Sequence, residues 1–137
     1  MIWIFREDKL ESFGTKRIFD EAKELNIPIR AVHPNTVDVI VTRTDRKSIR
    51  VEEQIVDLPG VVLPRIGSST DYYALSVLRH LERLNVPILN SPNSIQMVGD
   101  KFYSMEVLAQ HNLPVPRTML VKHPIDAELV DRYIGFP

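Results

Sequence analysis

Residues 64–118 read PRIGSSTDYYALSVLRHLERLNVPILNSPNSIQMVGDKFYSMEVLAQHNLPVPRT, and this stretch decides the fold. It begins at the end of an apolar run, continues through an amphipathic helix predicted over about 71–85, and reaches a short apolar strand that ends in LNSP. Ser91-Pro92 then combines an N-cap residue with proline at the first helical position, and Asp100 is placed to cap a further helix. Strands and helices therefore alternate, which is typical of a parallel sheet covered by helices.

The residues before this stretch continue the same pattern. Residues 2–5 form a continuous apolar run, as expected for a strand that is buried on both faces. Thr15 is a candidate N-cap for a first helix that runs to about Asn26, and short apolar runs at 29–32 and 61–63 predict two further strands. Between those strands, alternating valines from residue 37 onward predict a small β-hairpin.

We therefore expect an α/β, Rossmann-like domain over residues 1–90, with a mostly parallel sheet and a small β-hairpin. Residues 91–137 are expected to form a second segment. Its two helices are followed by an extended exit that leads into a strand at 117–121 and a last helix at about 124–133.

Composition excludes several classes of protein. A length of 137 residues with 44% hydrophobic residues allows one domain with a real core, and a net charge of −1 gives no electrostatic case for nucleic-acid binding. No apolar run approaches the roughly 20 residues that span a membrane, and the N-terminus lacks the basic start of a signal peptide. The chain has no cysteine, and its four histidines are scattered, so we expect no metal site. A cytoplasmic location is the expectation.

Two groups of residues are candidates for chemistry. Lys101 would lie at a helix N-terminus, where backbone N–H groups already favour anions such as phosphate. Taken by itself, the position is better explained by an ordinary exposed lysine in a first helical turn. The second group lies at the end of an apolar strand and consists of Arg65, Gly67 and Ser68. Ligands of open parallel sheets usually bind at this edge, and a guanidinium there can hold a carboxylate or phosphate. Pairing of Arg65 with a structural acid is the alternative.

The first strand offers no comparable phosphate site. It leads into Arg6-Glu7-Asp8, whose carboxylates would repel a phosphate, and the chain contains no GxGxxG or GxxxxGK motif. A flavodoxin-like nucleotide-binding domain is therefore disfavoured.

Five motifs in one order resemble the N-terminal part of the RimK-type ATP-grasp amino-acid (glutamate) ligases. They are PRIG at 64–67, LRHLE at 78–82, LNSP at 89–92, GDKFYSMEVLAQ at 99–110 and LPVPRT at 113–118. The resemblance implies a pre-ATP-grasp domain followed by the start of an ATP-grasp subdomain. It also implies that Lys101 reaches the ATP phosphates and that Arg65 and the residues after it help to hold the acceptor.

In this family, ATP with Mg²⁺ or Mn²⁺ phosphorylates a carboxylate acceptor, and the amine of an amino acid attacks the acylphosphate. The residues that bind the nucleotide core and the metal would follow Pro137. We therefore expect a fragment of a longer ligase, with no catalytic residue and no bound cofactor of its own.

Two alternative functions remain open at this point. The chain could be a non-catalytic binding or regulatory module that keeps the fold, or part of a glutathione-synthetase-like ligase. Apolar residues of the second segment could also drive self-association into a homo-oligomer: Met97, Val98, Met105 and Leu108.

Overall fold

A computed structural model describes residues 1–6, 12–43, 48–67 and 72–135 of the chain. These residues form two compact units, Met1–Gln96 and Met97–Pro137. The expected division at residue 90 stays a prediction. No helix in the described ranges is both long enough and apolar enough to cross a membrane.

The centre of the first unit is a parallel sheet. Within the described residues its strands lie in the order β2-β1-β6, with β1 at Ile2–Arg6, β2 at Ile29–Val32 and β6 at Val61–Arg65. The run predicted over residues 87–89 is a single parallel bridge between Val62 and Ile88, because only one rung of the ladder forms beside β6. The predicted parallel α/β architecture is confirmed.

One face of this sheet carries the main core. Trp3 and Phe5 of β1 are buried there, together with residues of helix α2 at Tyr72–Arg83. Side chains alternate along a strand, so Ile4 and Arg6 lie on the opposite face. Helix α1, Phe13–Glu24, buries Thr15 and Ala22.

The predicted hairpin is also present, as a small antiparallel sheet. Strand β3, Val37–Val39, pairs with β4, Ile49–Val51, and β4 pairs in turn with β5, Gln54–Ile55. The hairpin was predicted from its alternating valines. Strand β5 was not, because its two exposed residues carry no hydrophobic pattern.

The first helix differs from its prediction at both ends. Ser12, and not Thr15, is the N-cap of α1, and its hydroxyl accepts a hydrogen bond from the Thr15 backbone N–H at 3.4 Å. Ser12 also donates its own hydroxyl proton to the Thr15 side chain at 2.8 Å. The helix ends at Glu24 and not at about Asn26, and Leu25 at its C-cap is exposed.

The helices that the capping residues predicted after residue 90 are present. Pro92–Gly99 forms α3, which crosses the boundary between the units, and Lys101–Gln110 forms α4. The predicted strand at 117–121 is wrong: residues 113–126, all of them described, contain no strand, because none of this segment joins a β-ladder. The last helix, α5, begins at Ala127 after the cap Asp126 and not at Pro124.

Candidate functional site

The candidate residues fall in two separate units, and each group is described by itself. Arg65 and Gly67 lie in the first unit and Lys101 in the second. Ser68, the remaining predicted substrate-binding residue, lies outside the described residues.

Arg65 is the last residue of β6, at the carboxyl edge of the parallel sheet. Its side chain is exposed, and its guanidinium extends toward the first turn of α1: a Cβ added at Gly14 would lie 3.3 Å from its Nη2 atom. Gly67 follows two residues later and is also exposed. The structure therefore places the predicted arginine at the sheet edge where ligands of open α/β folds usually bind.

Arg6 lies directly beside Arg65. The two residues are register partners in the parallel pairing of β1 with β6, so their side chains leave the sheet on the same face. Arg6 is only 4% exposed, and its Nε, Nη1 and Nη2 atoms are buried without a hydrogen-bond partner among the described residues. Buried polar atoms in native proteins almost always have a partner, so this guanidinium needs an explanation.

The sequence-based interpretation of Arg6 missed this feature. That interpretation placed Arg6 with Glu7 and Asp8 in a charged stretch after the strand that would repel phosphate, but Arg6 is the last residue of β1 and is buried. The available signal was its position two residues after Ile4, on the same face of a strand whose central residues are all buried.

Lys101 is the first residue of α4 and its side chain is exposed. The preceding residue, Asp100, caps the helix by accepting a hydrogen bond from the Tyr103 backbone N–H at 3.0 Å. The Asp100 carboxylate thus already occupies part of this helix N-terminus. The lysine ammonium remains available to an anion, as the phosphate assignment requires, while the helix end itself is not an open anion cradle.

The described residues offer no site for a divalent metal ion. No group of three or more His, Cys, Asp or Glu side chains in the described ranges is close enough together to hold one. No role for the magnesium or manganese that the resemblance implies is assigned to the described residues.

His80 has a pKa that is shifted by its environment. It lies in the last turn of α2, where its Nε2 atom is 2.8 Å from the hydroxyl oxygen of the buried Ser48. Burial lowers the pKa of His80 below its usual 6.5, and the nearby positive charge of Arg83 lowers it further. This contact joins α2 to the start of β4, so its role is structural.

Comparison with known proteins gives one consistent result. The model of the RimK PreATP-grasp domain family matches residues 1–95. A probable alpha-L-glutamate ligase of Legionella pneumophila (strain Corby) is 39% identical over 74 residues, covering 54% of this chain and 24% of the relative. Probable alpha-L-glutamate ligase 1 of Shewanella amazonensis is 27% identical over 128 residues, covering 93% of this chain and 42% of the relative.

A solved structure supports the same fold. The ATP-grasp ligase PsnB, solved in complex with a minimal precursor, superposes with a TM-score of 0.70 at 19% identity, over 96% of this chain and 49% of PsnB. The chain thus spans less than half the length of each of these three proteins.

Proposed function

Because the chain belongs to the RimK pre-ATP-grasp domain family, we propose that it is the N-terminal part of an ATP-dependent carboxylate–amine ligase. The observation that carries the proposal is the family match over residues 1–95. The alignments with probable alpha-L-glutamate ligases support glutamate as the amino acid that is added.

The proposed reaction has two steps. The acceptor carboxylate attacks the γ-phosphorus of ATP, which forms an acylphosphate and releases ADP. The amine of the amino acid then attacks the acyl carbon, phosphate leaves with the C–O bond electrons, and the amine loses a proton. No residue of this chain is proposed to be catalytic.

The proposed roles of this chain are binding roles. Lys101 places a mobile positive charge near the ATP phosphates, which offsets charge during phosphoryl transfer. Arg65, with Gly67 and Ser68, holds the carboxylate acceptor. The exposure of Lys101 and the position of Arg65 at the sheet edge are compatible with these roles.

The first test compares the 137-residue chain with the full gene product that contains it. Each is incubated with ATP, magnesium, glutamate and candidate carboxylates, and ADP release and glutamate incorporation are measured. The full product is expected to form ADP only when the acceptor is present, and the 137-residue chain to form none. Glutamate ligation by the short chain would overturn the proposal that this chain has binding roles only. If the full product forms no ADP, the protein is better explained as a non-catalytic binding module.

The second test addresses Lys101. In the full product, Lys101→Ala is expected to raise the KM for ATP or lower kcat by roughly tenfold or more, the size of one charge-assisted interaction. Lys23→Ala removes an exposed lysine in the last turn of α1 and serves as the matched control. Equal kinetics for the two variants would reject the phosphate role of Lys101.

A further inference from the structure

Two arginines meet at one corner of the first unit. Arg6 and Arg65 end adjacent parallel strands, are paired in register and extend from the same face of the sheet. Two like charges side by side repel each other, and the repulsion is largest where water is excluded. Such a pair is stable when an anion lies between the two guanidinium groups.

The burial of Arg6 makes the need for an anion stronger. A guanidinium remains charged in proteins and has five N–H donors, and that of Arg6 is buried without an acceptor among the described residues. Arg65 differs because its side chain is exposed and can reach water. Arg6 therefore lacks, within the described part of the chain, the acceptor that its charge requires.

The start of α1 lies at the same corner. The Arg65 guanidinium is next to Gly14, the second residue of this 12-residue helix, and glycine leaves the space that a Cβ would fill. The Ser12 hydroxyl caps this helix through the Thr15 N–H, but it is uncharged, unlike the Asp100 carboxylate that caps α4. The positive end of the α1 dipole is therefore not neutralised by its cap and still favours a negative charge. The first turn of α1 contains no acidic residue that would occupy the position instead.

We propose that Arg6, Arg65 and the N-terminus of α1 form a binding site for an oxyanion at the carboxyl edge of the parallel sheet. The ligand class is a carboxylate or phosphate group, which a guanidinium binds through two parallel hydrogen bonds. Gly14 permits the close approach. Anion binding at this site does not depend on the proposed function. Only its role does, which is to hold the acidic group of a ligase substrate.

The test is anion binding to the 137-residue chain without ATP, so that it does not depend on ligase activity. Glutamate, glutarate and inorganic phosphate are titrated separately at constant ionic strength, while the backbone amide of Gly14 and the Nε–H group of Arg6 are followed by NMR. Saturable shifts at both groups are expected with at least one probe, and the comparison of the three separates a carboxylate from a phosphate ligand.

Two variants and one control locate the site. Arg6→Met and Arg65→Gln are each expected to weaken binding by roughly tenfold or more, the effect of losing one charge-assisted hydrogen bond. Arg17→Gln removes an exposed arginine of the same helix, whose guanidinium pairs with Glu21 at 3.6 Å, and should leave binding unchanged. Since Arg65 is exposed, its variant decides the matter even if Arg6→Met does not fold.

Two results would overturn the proposal. The first is the absence of saturable binding of all three probes to the unaltered chain. The second is equally tight binding by Arg65→Gln and the unaltered chain, because the exposed arginine would then take no part in holding the anion.

Discussion

At the scale of single residues, Arg6 is the buried charge on which the proposed anion site depends. A charge that is removed from water without a partner costs several kcal/mol, and only a bound anion or a precise internal acceptor offsets it. Arg6 is 4% exposed and has no acceptor among the described residues. An apolar residue would fit this buried strand position better. Buried charges without a partner are therefore expected mainly at functional positions.

The first prediction is that Arg6→Met stabilises the anion-free chain. Methionine has a similar length and can fill the same space without a charge, so the free energy of unfolding is expected to rise by about 1 to 4 kcal/mol. Urea unfolding in an anion-poor buffer measures the change. Arg17→Met, at an exposed position, should alter stability by no more than about 0.5 kcal/mol. A clear loss of stability in Arg6→Met would indicate an internal acceptor.

The second prediction concerns the pH dependence of stability through His80. Because burial lowers its pKa in the folded chain, the unfolded chain binds more protons between that lowered value and the usual 6.5. The contribution of neutral His80 to the free energy of unfolding is therefore fully present above about pH 6.5. It declines as the pH falls from there toward the lowered pKa of the folded chain.

Thermal unfolding at about pH 8 and about pH 5 checks this dependence. His80→Gln keeps a polar group that can reach the Ser48 hydroxyl and should lose less of its Tm on acidification than the unaltered chain. His111→Gln, at an exposed position after α4, is the matched control. Its Tm should fall on acidification by as much as that of the unaltered chain. An identical loss in all three proteins would assign the pH effect to other groups.

At the scale of elements, helix starts are determined by which hydroxyl or carboxylate reaches the free N–H groups. Asp100 and Ser91 were identified as caps because each directly precedes its helix. Thr15 has the right chemistry for a cap, but its side chain is 2% exposed and accepts the proton of Ser12. Two candidate caps three residues apart cannot be separated by sequence alone, because either one could begin the helix.

The third prediction separates these two residues. Ser12→Ala is expected to lower the free energy of unfolding by about 1 kcal/mol, since the first turn of α1 loses its side-chain acceptor. Thr15→Val keeps the shape of the buried side chain and the cap, so its effect should be smaller. Chemical denaturation of both variants measures the difference. A larger loss in Thr15→Val would mean that the buried hydroxyl, and not the cap, stabilises this helix start.

At the scale of the whole molecule, the parts that could be predicted are those with a repeated local pattern. The apolar run of residues 2–5 is β1, and the alternating valines form the hairpin. The strand expected at 117–121 is absent because strand formation requires a neighbouring strand, which no local pattern specifies. The pairing of Arg6 with Arg65 was missed for the same reason: their register joins residues 59 positions apart.

The two units also differ in how their stability arises. Among the described residues, every buried hydrophobic side chain lies between Trp3 and Val86, within the first unit. Ile95 of α3 packs against this core, whereas α4 and α5, both fully described, contain no buried residue. Since burial of apolar surface is the main favourable contribution to folding, the first unit has its own source of stability.

The fourth prediction follows from this distribution of the core. A chain shortened to residues 1–99, which keeps α3 complete, is expected to fold alone and to unfold cooperatively, with a free energy of unfolding within roughly 1 kcal/mol of that of the 137-residue chain. Urea unfolding and amide NMR spectra of the two chains provide the comparison. The amide signals of β1 and α2 should coincide, because their contacts come from the same core. An unfolded or strongly destabilised 1–99 chain would show that residues 100–137 supply stabilising contacts, and the first unit could then no longer be treated as independent when its anion site is tested.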